Sequence, residues 1–279
     1  MSQEVIVDQF IMDNQFRLEP KSLQRYKLSV DQFFKHTGKS LDAIKKSDIR
    51  HWLVHLKGEG YKPHTIWTNL TGLKTFFKYC LEEGHIIKNP ASEVPFPRIE
   101  EKLPYYLSFE QLDNIRKLIG DRLQERAILE VLYATGMRIS EMCSMKKEDI
   151  NWSEQIVHIP IGKRKKGRIV PFSRNCAVYL KAYLDSRIDN SPYVFLTLRS
   201  KGRPISQSTV KRMFRAYSKC LGYRVTPHTL RHTFAAHLAS KGMPLECIQV
   251  ILGHEQPHLT QYYARLYNHA RKEGYDWFM

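Results

Sequence analysis

The stretch His228-Thr-Leu-Arg231-His232-Thr-Phe-Ala-Ala236, followed by Leu252-Gly-His254 and Thr260-Gln-Tyr-Tyr263, decides how the chain is read. Pro227 suits a first helical position behind Thr226 as N-cap, and Leu230, Phe234 and Leu238 recur at i, i+4 and i+8 as a core stripe. His228 and Arg231, three apart, then share a neighbouring face. A second helix is expected to start near Pro244, because Leu245, Ile248 and Leu252 form an apolar stripe and Gly253 is a natural helix stop. His254 is therefore delivered from a helix end. Pro257 can open a third helix with Tyr263 about two turns in; Tyr262 and Tyr263 point about 100° apart, so only one of them faces the basic residues.

Working outward, the second half is expected to hold more helices around one small hairpin. Ser108 and Gln111 make a capping-box pattern, and Leu123 to Ala134 is apolar on most sides, as a central helix requires. Ile156 to Ile161 and Arg168 to Phe172, joined by Gly162-Lys-Arg-Lys-Lys-Gly167, read as an antiparallel hairpin with a basic tip. Helices near 174–186 and 206–221 follow. Upstream, residues 1–88 read as four helices, with stripes such as Leu23, Tyr26, Val30, Phe33 and Ile66, Leu70, Leu73, Phe77. Prolines at 90, 95, 97 and 104 mark an extended linker over 89–104. The expected fold is mainly α with a small antiparallel β element (α+β): a helical domain over 1–88, the linker, and a second domain over 105–279 with a tail from 264.

The 279 residues carry a formal net charge of +16, of which +13 lies in residues 105–279. An acidic partner follows, most simply nucleic acid. Lys45, Lys46, Arg50, Lys57, Lys62 and Lys74 sit near helix ends of the first domain, and Arg164, Lys165, Lys166 and Arg168 at the hairpin, where they are expected to meet phosphates. Five widely spaced cysteines without a Cys-x-x-Cys pair argue against a disulfide framework or zinc site, and no 18-residue apolar run could span a membrane. The expectation is a cytoplasmic, DNA-associated protein.

His-x-x-Arg, then Leu-Gly-His, then a tyrosine nine residues on resembles the tyrosine recombinase (phage integrase) family, in its compact two-domain form. The resemblance continues in Ala134-Thr-Gly-Met-Arg138-Ile-Ser-Glu141, similar to the segment carrying that family's first catalytic arginine, and in Gly162-Lys163, similar to its hairpin lysine. It covers residues 105–270, with a similar layout upstream. It implies a catalytic set of Arg138, Lys163, His228, Arg231, His254 and Tyr263. Arg164 stands where the family usually has a second glycine, so Lys165 and Lys166 stay open as alternatives to Lys163. His232 and His237 are read as structural, because the family pattern uses only the first histidine of this helix.

A phosphodiester displaced by a side-chain oxygen needs in-line attack, cations over the non-bridging oxygens and a proton for the leaving oxygen. Arg138 and Arg231 supply the planar clamp, for which bidentate arginine is better suited than lysine. Tyr263 is the expected nucleophile, with the surrounding cations favouring its phenolate. A 3′-phosphotyrosine would conserve bond energy for rejoining, so no cofactor, ATP or metal is required. The resemblance further implies double-stranded DNA with an inverted-repeat core site, a homotetramer linked by exchange of the C-terminal tail, and in some cases an accessory protein. A type IB-like topoisomerase and a catalytically idle DNA-binding protein are the alternatives.

Overall fold

Proline and glycine set the helix ends in the first hundred residues. Helix α1 spans Gln3–Asp13; α2 (Pro20–Thr37) opens on a proline and stops at Gly38, whose φ of 63° is left-handed. A 3₁₀ turn at Leu41–Ala43 leads into α3 (Lys46–Gly58), and α4 (Pro63–Glu82) again opens on proline. The computed structural model describes residues 3–99, 104–160, 167–197, 202–253, 263, 264 and 266–268. It divides into two units, Met1–Glu101 and Lys102–Met279.

The four helices of the first unit close over an aromatic core of Phe10, Phe33, Trp52, Phe76 and Phe77, all at most 1% exposed. Their rings meet edge to face, as in Phe10–Phe76 at 5.5 Å and Phe33–Trp52 at 5.3 Å, the arrangement favoured by the ring quadrupole. Gly72 lets α4 approach α2 closely, since a Cβ there would lie 3.2 Å from the Tyr26 Cα and the Ser29 Cβ. Where the prolines suggest an extended linker from residue 89, the structure has a turn held by the Ala91 N–H on Asn89 Oδ1 at 2.8 Å, with Ala91 and Val94 buried in the bundle core. Two apolar side chains among the prolines outweigh the extended tendency of that stretch.

The second unit is built around α6 (Leu123–Thr135), whose Ala127, Ile128, Leu129, Val131 and Leu132 are buried. It packs against α8 (Arg174–Asp185) and α10 (Pro227–Ser240). Ahead of it, α5 (Phe109–Ile119) begins at the Ser108–Gln111 capping box. After it come the short α7 (Ile139–Ser144) and a three-stranded antiparallel sheet of β1 (Ile150–Asn151), β2 (Ile156–Ile159) and β3 (Arg168–Pro171), in that order. Val157 pairs with Val170 and turns inward with Ile159, while His158 faces out. Helices α9 (Gln207–Leu221) and α11 (Leu245–Leu252) follow. The architecture is the expected one, helical with a small antiparallel sheet; β1 and α7 add two short elements that carried no periodic signal.

Candidate active site

Three arginines, one on β3, one on α10 and one at the N-cap of α7, converge on the end of α11. The helix stops at Gly253, φ 62°, leaving its last carbonyls without intrahelical partners. Arg168 Nε on β3 donates to the Ile251 carbonyl at 2.8 Å, Arg231 NH2 on α10 to Leu252 at 2.7 Å, and Arg138 NH2 to Gly253 at 2.9 Å. A helix C-terminus carries partial negative charge, so cations are favoured there. Arg231 NH1 also donates to the Gly136 carbonyl at 2.7 Å, the end of α6. Gly136 cannot be otherwise: its φ is 60°, and a Cβ would lie 2.4 Å from Phe234 Cδ1 and 2.9 Å from Leu252 Cδ2.

Glu141 ties the cluster together. Its carboxylate accepts from the Arg138 backbone N–H at 2.6 Å and Arg138 NH1 at 2.9 Å, and from Arg168 NH1 and NH2 at 2.9 and 2.7 Å. Burial alone would raise its pKa, yet the bonds from Arg168 and the Arg138 backbone outweigh it and hold the carboxyl at about 2. Arg231 is 6% exposed, and burial, with Arg138 and Arg168 nearby, pulls it down to about 9, still charged at neutral pH. The bonds named here use two of the five N–H donors of Arg138 and of Arg231, so both can still receive phosphate oxygens.

Tyr263 lies beside this cluster and is 1% exposed. Its hydroxyl is 2.5 Å from His232 Nδ1, and His232 Nε2 is 2.9 Å from His228 Nε2. Burial pushes the Tyr263 hydroxyl well above the usual phenol range, and Arg231 only partly opposes it. The expectation that cations favour the phenolate is therefore corrected for this state: desolvation wins and the phenol stays protonated. His228 is held below its usual value by desolvation and then by Arg231 and Arg224.

Of the residues singled out from the sequence, the structure gathers Arg138, Arg231, His228 and Tyr263. Lys163, Arg164, Lys165, Lys166 and His254 lie outside the described residues, as does Tyr262. Arg168, expected at the phosphate-facing hairpin, is 13% exposed at its side chain and directs its donors to Glu141 and Ile251. His237, read as structural, is buried, with Nδ1 2.9 Å from Tyr133 Oη and Nε2 3.0 Å from the Leu107 carbonyl. His232, read the same way, instead touches the proposed nucleophile. In the first unit Lys45, Arg50 and Lys62 are exposed, Lys46 pairs with Glu93 at 2.6 Å, and Lys74 donates to the Ser92 carbonyl at 3.0 Å. Sequence reasoning missed Glu141 and His232; the acid three after Arg138 was a legible capping pattern, the histidine was not.

The model of the phage integrase family matches residues 106–269, and that of the phage integrase N-terminal SAM-like domain matches 8–84. The chain is 35% identical over 229 residues to tyrosine recombinase XerA of Pyrococcus furiosus, covering 81% of this chain and 78% of that one. It is 33% identical to tyrosine recombinase XerC of Thermodesulfovibrio yellowstonii, covering 88% and 85%. A crystal structure of XerA recombinase aligns over 98% of both chains at 28% identity and a TM-score of 0.56. A lambda integrase dimer bound to a core site aligns over 94% of this chain and 95% of that one, with a TM-score of 0.77 at 20% identity, a likeness of fold.

Proposed function

Because the chain belongs to the phage integrase family, the tyrosine recombinases, and so is an enzyme that breaks and rejoins DNA in site-specific recombination, we propose which of its residues carry the reaction. Tyr263 attacks the scissile phosphate and becomes a 3′-phosphotyrosine. Arg138 and Arg231 hold the non-bridging oxygens with their remaining donors, and Glu141 with the α11 carbonyls keeps both guanidiniums in place before DNA arrives. Lys163 protonates the departing 5′ oxygen, and His228 and His254 assist at the phosphate, assignments that rest on the family pattern. Arg168 acts by positioning Glu141, while Lys45, Lys46, Arg50, Lys62, Lys74 and the hairpin residues Arg164, Lys165 and Lys166 contact DNA phosphates. The enzyme works as a homotetramer on two inverted-repeat core sites, linked by tail exchange and in some settings aided by an accessory protein. It meets its DNA in the cytoplasm.

The observation that carries this reading is the convergence of Arg138 and Arg231 on one helix end, in the unit that also buries Tyr263. Nicked suicide substrates drawn from the gene's flanking DNA test it, with SDS-resistant adducts as the readout and native gels of paired sites reporting assembly. Wild type and Tyr262→Phe are expected to form adduct and Tyr263→Phe none. Adduct from Tyr263→Phe, or none from wild type on DNA that it binds specifically, would overturn the assignment.

A further inference from the structure

A nucleophilic phenol must lose a proton, and in this fold water has almost no access to take it. Tyr263 is 1% exposed, whereas His228, at the start of α10, is exposed. Between them stands His232, one helical turn after His228, bridging 2.5 Å to the phenol and 2.9 Å to the other imidazole. A neutral imidazole has one donor and one acceptor nitrogen, so a protonated phenol gives the chain a direction. With both imidazoles neutral, that direction runs from the phenol to His232 Nδ1, from a proton on His232 Nε2 to His228 Nε2, and leaves the His228 proton on Nδ1.

We propose that His232 is a catalytic residue, the group that receives the Tyr263 proton and relays charge to His228. The inference rests on the assignment of Tyr263 as nucleophile. As the phenol oxygen closes on phosphorus, its O–H bond breaks and an N–H bond forms at His232 Nδ1. The His232 Nε2–H bond breaks in turn, and a new one forms at His228 Nε2, leaving His228 an imidazolium. The electron pair freed at oxygen becomes the O–P bond. The P–O5′ bond breaks, and the 5′ oxygen takes its proton from the general acid. Rejoining runs the same path backwards, with His228 returning the proton through His232 to the departing tyrosine. The relay puts the new positive charge on the exposed end of the chain, where a bound phosphate can use it.

The test measures adduct formation on a nicked substrate by wild type, His232→Ala and His232→Asn, each with tyrosine or 3,5-difluorotyrosine at position 263. Fluorination eases ionisation of the phenol. His232→Ala is expected to slow adduct formation about 100-fold or more, the range of a lost general base, and difluorotyrosine to recover at least about tenfold of it while changing wild type little. His232→Asn, which can accept from the phenol but does not reach His228, is expected to fall between, with the same recovery. Sulfur in place of the 5′-bridging oxygen, which needs no proton, is expected to restore neither variant. An unchanged rate in His232→Ala, an equal loss with both nucleophiles, or recovery by the sulfur substrate would overturn the relay. DNA binding and circular dichroism check folding; if the alanine variant fails to fold, the asparagine variant decides by the same criteria. A wild type that forms no adduct would instead overturn the nucleophile assignment.

Discussion

The first unit buries rings and leaves its cations outside; the second buries charge. Phe10, Phe33, Trp52, Phe76 and Phe77 fill the bundle, while Arg50 and Lys62 stay in water. In the catalytic unit Glu130 and Arg231 are buried, and Glu130 is bonded to Arg116 and Arg126. Desolvating a charge is costly, so it makes sense only where the charge must not move. A lysine on a flexible stem can find a phosphate across several ångströms. An arginine that must meet a developing charge at one fixed point is better held by carbonyls and a carboxylate before the substrate comes.

The contrast can be broken first at the bundle core. Trp52→Ala is expected to cost about 3–5 kcal/mol, the range for removing a fully buried aromatic side chain. Urea denaturation checks it, and a loss under about 1 kcal/mol would mean that the rings are not what holds this unit. Glu141→Gln should cost about 3 kcal/mol at neutral pH, because Arg138 and Arg168 lose their shared anion. The sign is set by linkage: the folded carboxyl is held at about 2 against an ordinary 4.5, so its contribution is complete above 4.5 and is lost as pH falls toward 2. Wild type and variant should therefore draw together in urea midpoint on acidification; a gap as large at pH 3 as at pH 7 would count against the cluster. The smallest effect is expected at Arg50→Ala and Lys62→Ala, with no change in urea midpoint and a salt slope of DNA binding reduced by about 0.9 for each phosphate that is no longer neutralised. Fluorescence anisotropy between low and moderate salt reads this, and an unaltered slope would remove that residue from the DNA-contacting set.

Much of this molecule was legible from local pattern. Thr226 before Pro227, Ser108 with Gln111 and Gly253 after an apolar stripe each mark a helix end through bonds made within a few residues, and each stands where expected. What escaped was non-local. The Arg168–Glu141 pair spans 27 residues and the His232–Tyr263 bond 31, distances over which helical or strand periodicity says nothing. The turn at 89–94 was hidden by its prolines, whose stiffness is local while the burial of Ala91 and Val94 is not. His232 was set aside because a family pattern records which positions recur, not which atoms touch.

The end of α11 carries a consequence for how this protein can vary by descent. Its carbonyls at 251, 252 and 253 each receive a different arginine, so the helix works as a ruler as well as a scaffold. One residue inserted after Ile248 would turn every later carbonyl by about 100° and shift it by about 1.5 Å along the axis, reassigning all three guanidiniums at once. Single substitutions on its exposed face, such as at Val250, leave that count intact. Insertions and deletions should therefore collect in the turns of the bundle, as between Gly58 and Pro63, while the last turn of α11 keeps its number of residues even where its side chains drift.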